Sequence, residues 1–320
     1  MKTVLIGVEK DWLTDQQLAK IEALVPDVDI IVTRERAEMD AVVEDVAIAA
    51  GLIPREVIMN APNLRWFQQF GAGADWLLAY PEAVEKPFVL TNTSGIHAIP
   101  ISEHIFALLL AFARRLHKVL YAQERHDWHV PPGETLFELA GKTMLLVGVG
   151  AIGERTAHLA QAFDMRVVGV RRDADQDVSG VDEMVGPEQL DALLPEADVV
   201  VLTVPLTKET RHMIDAEALR RMKSTAYLIN IGRGGTVDER SLVEALRAGE
   251  IAGAGLDVFE AEPLPQESPL WEMDNVLITP HYSGSTPHYV TRFVEIFLDN
   301  LRRYQHGEPL QNVVDKEIGY

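Results

Sequence analysis

Short β-branched segments alternate with amphipathic segments along almost the whole chain, and this alternation constrains the fold more than any other feature. It predicts an α/β fold in which parallel strands are covered by helices. In the first 98 residues the strand-like segments are 4–8, 28–33, 45–51, 64–70 and 88–92, and the helix-like segments include 13–25 and 54–62. We expect these residues to form one α/β unit.

A second series of strand-like segments lies between Lys142 and about Gly284. Its members are 143–149, 165–170, 198–204, 226–230, 253–258 and 275–281. Six strands with intervening helices are typical of a doubly wound parallel sheet. A long apolar helix predicted over 101–120, with Pro100 at its start, would connect the two units.

The tail, residues 286–320, begins with a helical pattern but is too short to form a domain, so we expect it to pack on the first unit. One domain would then comprise residues 1–98 and 286–320, and the other would comprise residues 99–285. A length of 320 residues agrees with two domains.

Composition argues against several classes of protein. The chain has 49 Asp and Glu against 29 Lys and Arg, and a net charge of −20 would repel the phosphate backbone of a nucleic acid. Because the chain has no Cys, disulfides, thiolate zinc sites and a Cys nucleophile are excluded. The longest apolar run, 105–113, is far shorter than the ~20 residues of a membrane span. Since Met1 also leads directly into a strand-like segment, we expect a cytoplasmic protein without a membrane partner.

A glycine-rich turn ends the first strand-like segment of the second series. Gly148, Gly150 and Gly153 fit the pattern G-x-G-x-x-G, with Ala151 and Ile152 opening the helix that follows. The first glycine permits a tight turn, the second lets a pyrophosphate approach the backbone, and the third lets the helix pack closely on the strand. The N–H groups at the helix N-terminus would hold the anion. We therefore expect these five residues to bind a dinucleotide; an ordinary glycine-rich turn is the alternative.

The next strand-like segment ends at Arg171 and Arg172, where an Asp or Glu normally binds the ribose diol of NAD. Two guanidinium groups can bind a 2′-phosphate, whereas a 2′-hydroxyl gains little from them. This end of the strand favours NADP(H) over NAD(H), which stays possible because Asp173 follows directly. A surface arginine pair is the alternative.

Polar side chains follow three successive strand-like segments of the second series. Arg233 lies among glycines after 226–230, Asp257 ends 253–258 with Glu262 shortly after it, and His281 ends 275–281. Open α/β sheets bind ligands at the carboxyl ends of their strands, so these groups could converge on one site. Arg233 could clamp a carboxylate and polarise a neighbouring carbonyl.

A carboxylate beside a histidine stabilises the imidazolium, so Glu262 and His281 would suit general acid catalysis on a carbonyl. Taken alone, His281 could equally be a structural histidine. The other nine histidines lie on predicted helices and loops without such a setting: His97, His104, His117, His126, His129, His158, His212, His288 and His306. No His, Asp or Glu cluster has the spacing of metal ligands, so no metal is expected.

The motifs taken together resemble the D-isomer-specific 2-hydroxyacid dehydrogenase family. The matching segments are GVGAIG (148–153), LTVPLTKETRHMI (202–214), LINIGRGGTVDERSLVEAL (228–246), AGAGLDVFEAEPLPQESPLW (252–271) and NVLITPH (275–281). The resemblance implies two Rossmann-like or flavodoxin-like domains with doubly wound parallel sheets. The catalytic domain would be split by an inserted nucleotide-binding domain.

The resemblance also implies roles for individual residues. Arg233 would bind the carboxylate and carbonyl of the substrate, His281 would give and take the proton, and Glu262 would hold His281 protonated. Further cofactor contacts would come from Val204, Pro205, Thr210, Ile231, Gly232, Arg233, Asp257, His281, Ser283 and Gly284.

The segment 70–75, FGAGAD, is similar to the family's substrate loop, in which the N–H groups of Ala72 and Gly73 would receive the carboxylate. From its residues alone it is a glycine-rich turn able to form an anion nest. The chain departs from the family pattern at His97 and at 282–284, which affects the details of the pocket.

The resemblance implies an oxidoreductase that reduces a small 2-keto acid, such as glyoxylate or hydroxypyruvate, to the D-2-hydroxy acid with NADPH. Formate and phosphite dehydrogenases share the scaffold but are less favoured. The alternative is a nucleotide-sensing interaction protein similar to the C-terminal-binding-protein corepressors. Relatives also pack the region around 101–120 across a two-fold interface, which implies a homodimer.

Overall fold

The computed structural model describes residues 3–319 and separates into two compact units. Unit 1 contains Met1–Ile96 and Thr286–Tyr320, and unit 2 contains His97–Ser285. Each unit has its own parallel sheet flanked by helices, as the alternation of segments predicts. The α/β class with two Rossmann-like domains is confirmed.

Unit 1 is built on a five-stranded parallel sheet in the order β2-β1-β3-β4-β5. Its strands are β1 (Thr3–Gly7), β2 (Asp29–Val32), β3 (Val46–Gly51), β4 (Trp66–Gln69) and β5 (Val89–Thr91). The helices between them are α1 (Asp15–Leu24), α2 (Arg36–Val42) and α3 (Arg55–Asn60). The central strands β1 and β3 are buried along their whole length, because helices cover both faces of the sheet.

Unit 2 is built on a seven-stranded parallel sheet in the order β12-β11-β10-β9-β6-β7-β8. Its strands are β6 (Thr143–Val147), β7 (Arg166–Val170), β8 (Glu183–Val185), β9 (Val199–Leu202), β10 (Tyr227–Asn230), β11 (Gly253–Leu256) and β12 (Val276–Ile278). Its helices are α4 (Ala98–Ala113), α5 (Leu116–Glu124), α6 (Ala151–Ala162), α7 (Leu190–Leu193), α8 (Ala216–Arg221) and α9 (Glu239–Ala248). Strand order reverses between β6 and β9, and open α/β sheets bind ligands at such a point.

The structure corrects two sequence predictions in unit 2. The sheet has a seventh strand, β8, which the sequence does not signal because it is three residues long and starts with an exposed Glu183. The helix predicted over 101–120 is two helices, α4 and α5, separated at Arg115. Arg115 has a φ of 54°, and a right-handed helix cannot continue through a left-handed residue.

The tail forms α10 (Tyr289–His306), and this helix belongs to unit 1. Its buried face contributes Phe293, Phe297 and Leu301 to a cluster with the strands of unit 1. The rings of Trp66 and Phe297 lie 5.5 Å apart. Within residues 3–319 we find no helix with both the length and the apolar character needed to cross a membrane.

Candidate active site

The glycine-rich turn joins β6 to α6, and its three glycines lie in different surroundings. Gly148 has a φ of 98°, and a Cβ there would lie 2.8 Å from Val204 Cγ1. A Cβ on Gly153 would lie 2.5 Å from the carbonyl oxygen of Gly148. A Cβ on Gly150 would meet nothing within 4 Å. The first and third glycines are thus fixed by packing, whereas the second lines open space beside the first residue of α6, where an anion could bind.

The loop after β9 borders this turn. Thr203 Oγ1 donates a hydrogen bond to the carbonyl oxygen of Gly148. Further along the loop, Thr210 Oγ1 donates to the carbonyl oxygen of Pro205 at 2.7 Å and accepts from the N–H of Thr207 at 2.8 Å. The predicted cofactor residues Pro205 and Thr210 therefore lie in one closed turn, and Val204 packs against Gly148.

Arg171 and Arg172 follow β7 directly. The Arg171 N–H donates to the carbonyl oxygen of Val185 at 2.9 Å, which fixes the backbone there, and the Arg172 side chain is exposed. The pKa of Glu209 is lowered, mainly by the hydrogen bond from Thr207 and by a backbone hydrogen bond, with smaller contributions from the charges of Lys208 and Arg172.

The loop that carries Arg233 is held by the buried Asn230 at the end of β10. Asn230 Oδ1 accepts from the N–H of Gly232 at 3.1 Å, and its Nδ2 donates to the carbonyl oxygen of Arg233 at 3.1 Å. Thr236 Oγ1 donates to the same carbonyl oxygen at 2.7 Å. A Cβ on Gly234 would lie 1.9 Å from the carbonyl carbon of Phe259, so only glycine lets the two backbones approach. The Arg233 backbone is thus fixed on both sides.

His281 and Glu262, the residues that the sequence suggests for proton transfer, lie in contact. His281 Nδ1 lies 2.6 Å from Glu262 Oε2, and Glu262 Oε1 accepts from the N–H of Phe259 at 3.0 Å. The side chains of His281 and Glu262 are 48% and 35% exposed, so a ligand could reach the imidazole. Because Nδ1 faces Glu262, Nε2 is the ring atom left for a substrate.

Asp257 anchors the loop that carries His281. Its side chain is completely buried and accepts from Thr279 Oγ1 at 2.6 Å and from the N–H groups of Tyr282 and Ser283, both at 3.1 Å. These three bonds fix the backbone on both sides of His281. A cofactor contact by Asp257 stays a prediction.

His104 corrects the expectation that the other histidines lack a polar setting. Its Nε2 lies 3.0 Å from Thr279 Oγ1, and because Thr279 donates to Asp257, His104 must donate from Nε2. Burial lowers the pKa of His104, although Asp257 opposes this shift. His104 therefore extends the Asp257 network as a neutral imidazole.

His212 also has a carboxylate partner, contrary to the sequence interpretation, and His97 packs beside a glycine. His212 Nε2 lies 2.7 Å from Glu260 Oε1. The ring of His97 lies against Gly284, where a Cβ would be 2.6 Å from its Cδ2. Burial and the charge of Arg233 lower the pKa of His97 to about 4. His97 is therefore a neutral imidazole close to the predicted site.

In the predicted substrate loop of unit 1, the carbonyl oxygens of the three central residues 71–73 accept hydrogen bonds from side-chain amides. Gln69 Nε2 donates to Gly71 O at 2.9 Å and to Gly73 O at 2.7 Å. Asn92 Nδ2 donates to Ala72 O at 2.8 Å. A network of side-chain amides thus fixes the loop in one conformation.

Sequence reasoning missed Asn230, Thr279, His104, Gln69 and Asn92. Asn230 and Gln69 each end a strand whose other positions are mostly apolar, and a buried polar residue at a strand end is a usable signal. The partners of Thr279 and His104 come from distant segments, so the sequence gives no local sign of them.

Comparison with known proteins agrees with this geometry. A family model described as "D-isomer specific 2-hydroxyacid dehydrogenase, NAD binding domain" matches residues 106–283. A glyoxylate reductase of Korarchaeum cryptofilum is 39% identical over 280 residues, covering 85% of this chain and 82% of that protein. A glyoxylate reductase of Pyrococcus furiosus is 36% identical over 318 residues, covering 96% and 89%.

Solved structures with the same fold cover almost the whole chain. A D-isomer specific 2-hydroxyacid dehydrogenase family protein from Aeromonas salmonicida matches with a TM-score of 0.86 and 32% identity, covering 98% of this chain and 99% of that one. An NADPH-dependent glyoxylate/hydroxypyruvate reductase from Sinorhizobium meliloti matches with a TM-score of 0.84 and 27% identity, covering 100% of each chain. The chain therefore belongs to the D-isomer-specific 2-hydroxyacid dehydrogenase family.

Proposed function

We propose that this protein reduces a small 2-keto acid of the glyoxylate or hydroxypyruvate type to the D-2-hydroxy acid, with NADPH as the preferred cofactor. The observation that carries the proposal is the 2.6 Å contact between His281 and Glu262, because a carbonyl reduction needs a proton donor. The reductase class is supported by the glyoxylate reductases to which the chain is similar.

The residues present fit a dinucleotide. Gly148, Gly150 and Gly153 would hold its pyrophosphate at the N-terminus of α6, where Gly150 leaves the space open. When bound, the reduced nicotinamide supplies the hydride. Arg171 and Arg172 would bind a 2′-phosphate, and this pair supports the preference for NADPH. Both cofactors occur among the similar structures, since the Sinorhizobium meliloti reductase was solved with NADP and a D-lactate dehydrogenase of Aquifex aeolicus with NAD.

The side chains of unit 2 would act on the keto acid in distinct ways. Arg233 would bind the carboxylate and polarise the carbonyl oxygen that gains negative charge. His281 would transfer the proton from Nε2 to that oxygen, because Nδ1 is held by Glu262. Glu262 would stabilise the imidazolium before the transfer, and Phe259 would keep Glu262 oriented through its N–H. Asp257 would hold the His281 loop in place.

A substitution of His281 tests the proposal. His281→Gln should lower kcat for glyoxylate by at least a hundredfold, a typical contribution of a general acid. The dissociation constant of NADPH, measured by fluorescence titration, should change less than threefold. His306→Gln is the matched control, because His306 lies at the exposed end of α10 and should leave both quantities unchanged.

Two outcomes would contradict the proposal. Turnover of His281→Gln near that of the unsubstituted protein would remove His281 from proton transfer. Tight NADPH binding without reduction of any keto acid in a panel would contradict the reductase function and favour the nucleotide-sensing alternative.

We also propose a homodimer. The exposed apolar side chains of α5 and the segment after it support this, since such a patch commonly marks an interface. Leu120, Tyr121, Trp128 and Val130 are 60%, 58%, 95% and 72% exposed. Light scattering coupled to gel filtration should give twice the chain mass of 35.6 kDa. A monomer would contradict this part of the proposal.

A further inference from the structure

We propose that Gln69 and Asn92 are positioning residues that aim the backbone N–H groups of Ala72 and Gly73 at the carboxylate of the substrate. This inference rests on the proposed function, because it names the groups that give the substrate loop its affinity for a keto acid. Both residues and the loop they bind belong to unit 1.

The geometry of the peptide bond links the bound carbonyl oxygens to the direction of the N–H groups. In a planar trans peptide, the carbonyl of one residue and the N–H of the next point in opposite directions. Gly71 O is bound to Gln69, so the N–H of Ala72 points away from Gln69. Ala72 O is bound to Asn92, so the N–H of Gly73 points away from Asn92. The carbonyl oxygens thus point to the side of the loop where Gln69 and Asn92 lie. The N–H groups point to the opposite side, as an anion nest requires.

The hydrogen bonds of Gln69 fix its side-chain amide, so that the oxygen and the nitrogen cannot exchange places. Its side chain is completely buried, and its Oε1 accepts from Trp76 Nε1–H at 2.9 Å. Both N–H bonds of its amide are used, one for Gly71 O and one for Gly73 O. The ring of Trp76 is itself fixed by the Arg55 guanidinium, which lies 4.6 Å from the ring centroid. A side chain without two donors at this position could not bind both carbonyl oxygens.

Asn92 is fixed as firmly. Its Oδ1 accepts from the N–H of Ser94 at 2.9 Å, and its backbone N–H donates to the carbonyl oxygen of Asn312 at 3.0 Å. Its Nδ2 is thereby directed at Ala72 O. Two side-chain amides from the ends of different strands thus bind the carbonyl oxygens of the loop 71–73.

Gln68 provides a matched control. It is also completely buried and adjacent in the chain, but its amide bonds to Asn92 O at 2.9 Å, to Thr91 Oγ1 at 2.7 Å and to Asn300 Nδ2 at 3.0 Å. None of these atoms belongs to the loop 71–73. Gln68→Met should therefore destabilise unit 1 without a specific loss of carboxylate binding.

The experiment compares Gln69→Met with Gln68→Met in the full-length chain. Three quantities are measured: KM and kcat for glyoxylate, the dissociation constant of oxamate with NADPH bound, and Tm. For Gln69→Met we expect KM and the oxamate dissociation constant to rise at least tenfold, with kcat within threefold, because a contact equal in ground and transition states appears in KM. For Gln68→Met we expect a lower Tm with KM within threefold.

The outcomes separate this inference from the proposed function. If the unsubstituted protein reduces no keto acid, the proposed function fails. If it reduces glyoxylate but Gln69→Met leaves KM and oxamate binding unchanged, or matches Gln68→Met in every quantity, the inference is overturned. If Gln69→Met does not fold, Asn92→Ala, which removes the bond to Ala72 O, should give the same rise in KM with kcat maintained. Unchanged KM in Asn92→Ala would then overturn the inference.

Discussion

The low pKa of His97 makes the stability of unit 2 depend on pH in a way that can be isolated. Burial and the nearby charge of Arg233 lower the pKa of His97 from 6.5 to about 4 in the folded protein. Because the folded state disfavours the imidazolium, the unfolded chain takes up the proton first as pH falls. Well above pH 6.5 the histidine is neutral in both states and costs no stability. Between pH 6.5 and pH 4 it should progressively destabilise the fold.

The size of the effect follows from the shift. Since one pKa unit corresponds to about 1.4 kcal/mol, the loss should approach about 3 kcal/mol at low pH. At pH 5 it should already be about 2 kcal/mol. This loss of unfolding free energy is large enough to measure, because the total stability of a domain is about 5–15 kcal/mol.

The assay is urea unfolding of the natural chain and of His97→Asn at several pH values between 7.5 and 5. Tryptophan fluorescence and circular dichroism monitor the unfolding. The variant keeps a polar side chain but cannot be protonated, so the other titrating groups cancel in the comparison. His97→Asn should gain about 2 kcal/mol relative to the natural chain when pH falls from 7.5 to 5. A difference in unfolding free energy that stays constant with pH would refute the reasoning.

Three other substitutions test separate parts of the site. Gly234→Ala should cost about 3 kcal/mol or more in urea unfolding, because its Cβ would lie 1.9 Å from the backbone of Phe259; an unchanged midpoint would show that the two backbones are farther apart. Gly150→Ala should keep its Tm within a few degrees, because nothing lies within 4 Å of the new Cβ, yet the dissociation constant of NADPH in a fluorescence titration should rise at least tenfold. Unaltered NADPH affinity would place the pyrophosphate elsewhere. Glu262→Gln should lower kcat for glyoxylate about ten- to a hundredfold with NADPH binding maintained, because the imidazolium of His281 loses its carboxylate partner at 2.6 Å; normal kcat would remove Glu262 from catalysis.

The parts of the fold that local chemistry determines could be predicted from the sequence. The mostly apolar runs that form β6, β9 and β10 are buried on both faces, as is typical of parallel strands covered by helices. The turn at 148–153 was also predictable, because Gly148 and Gly153 satisfy packing requirements that arise within the turn and its neighbouring loop.

Features that depend on distant contacts could not be predicted. The break between α4 and α5 lies where Arg115 Nε donates to Thr135 O and where the N–H of Phe137 donates to Ala113 O. These bonds come from a segment about 20 residues further along the chain. The apolar periodicity of the helix therefore does not predict the break. The short edge strand β8 pairs only with β7 and has no apolar run of its own.

The candidate site shows the same division. Residue types at strand ends pointed to Arg233, Glu262 and His281, and the structure brings Glu262 and His281 into contact. The residues that orient this machinery, such as Asn230, Thr279 and Gln69, are polar side chains whose partners depend on the folded path of loops. Their hydrogen bonds join residues that only the folded sheet brings together, so the sequence does not predict them.

The most direct test of the central claim is the identity of the product. The protein should be incubated with NADPH and hydroxypyruvate, the absorbance at 340 nm followed, and the product separated by chiral chromatography. We expect NADPH oxidation well ahead of NADH oxidation, with one equivalent of D-glycerate formed per NADPH consumed. Formation of L-glycerate, or no oxidation of either cofactor with hydroxypyruvate, glyoxylate or pyruvate, would contradict the proposed function.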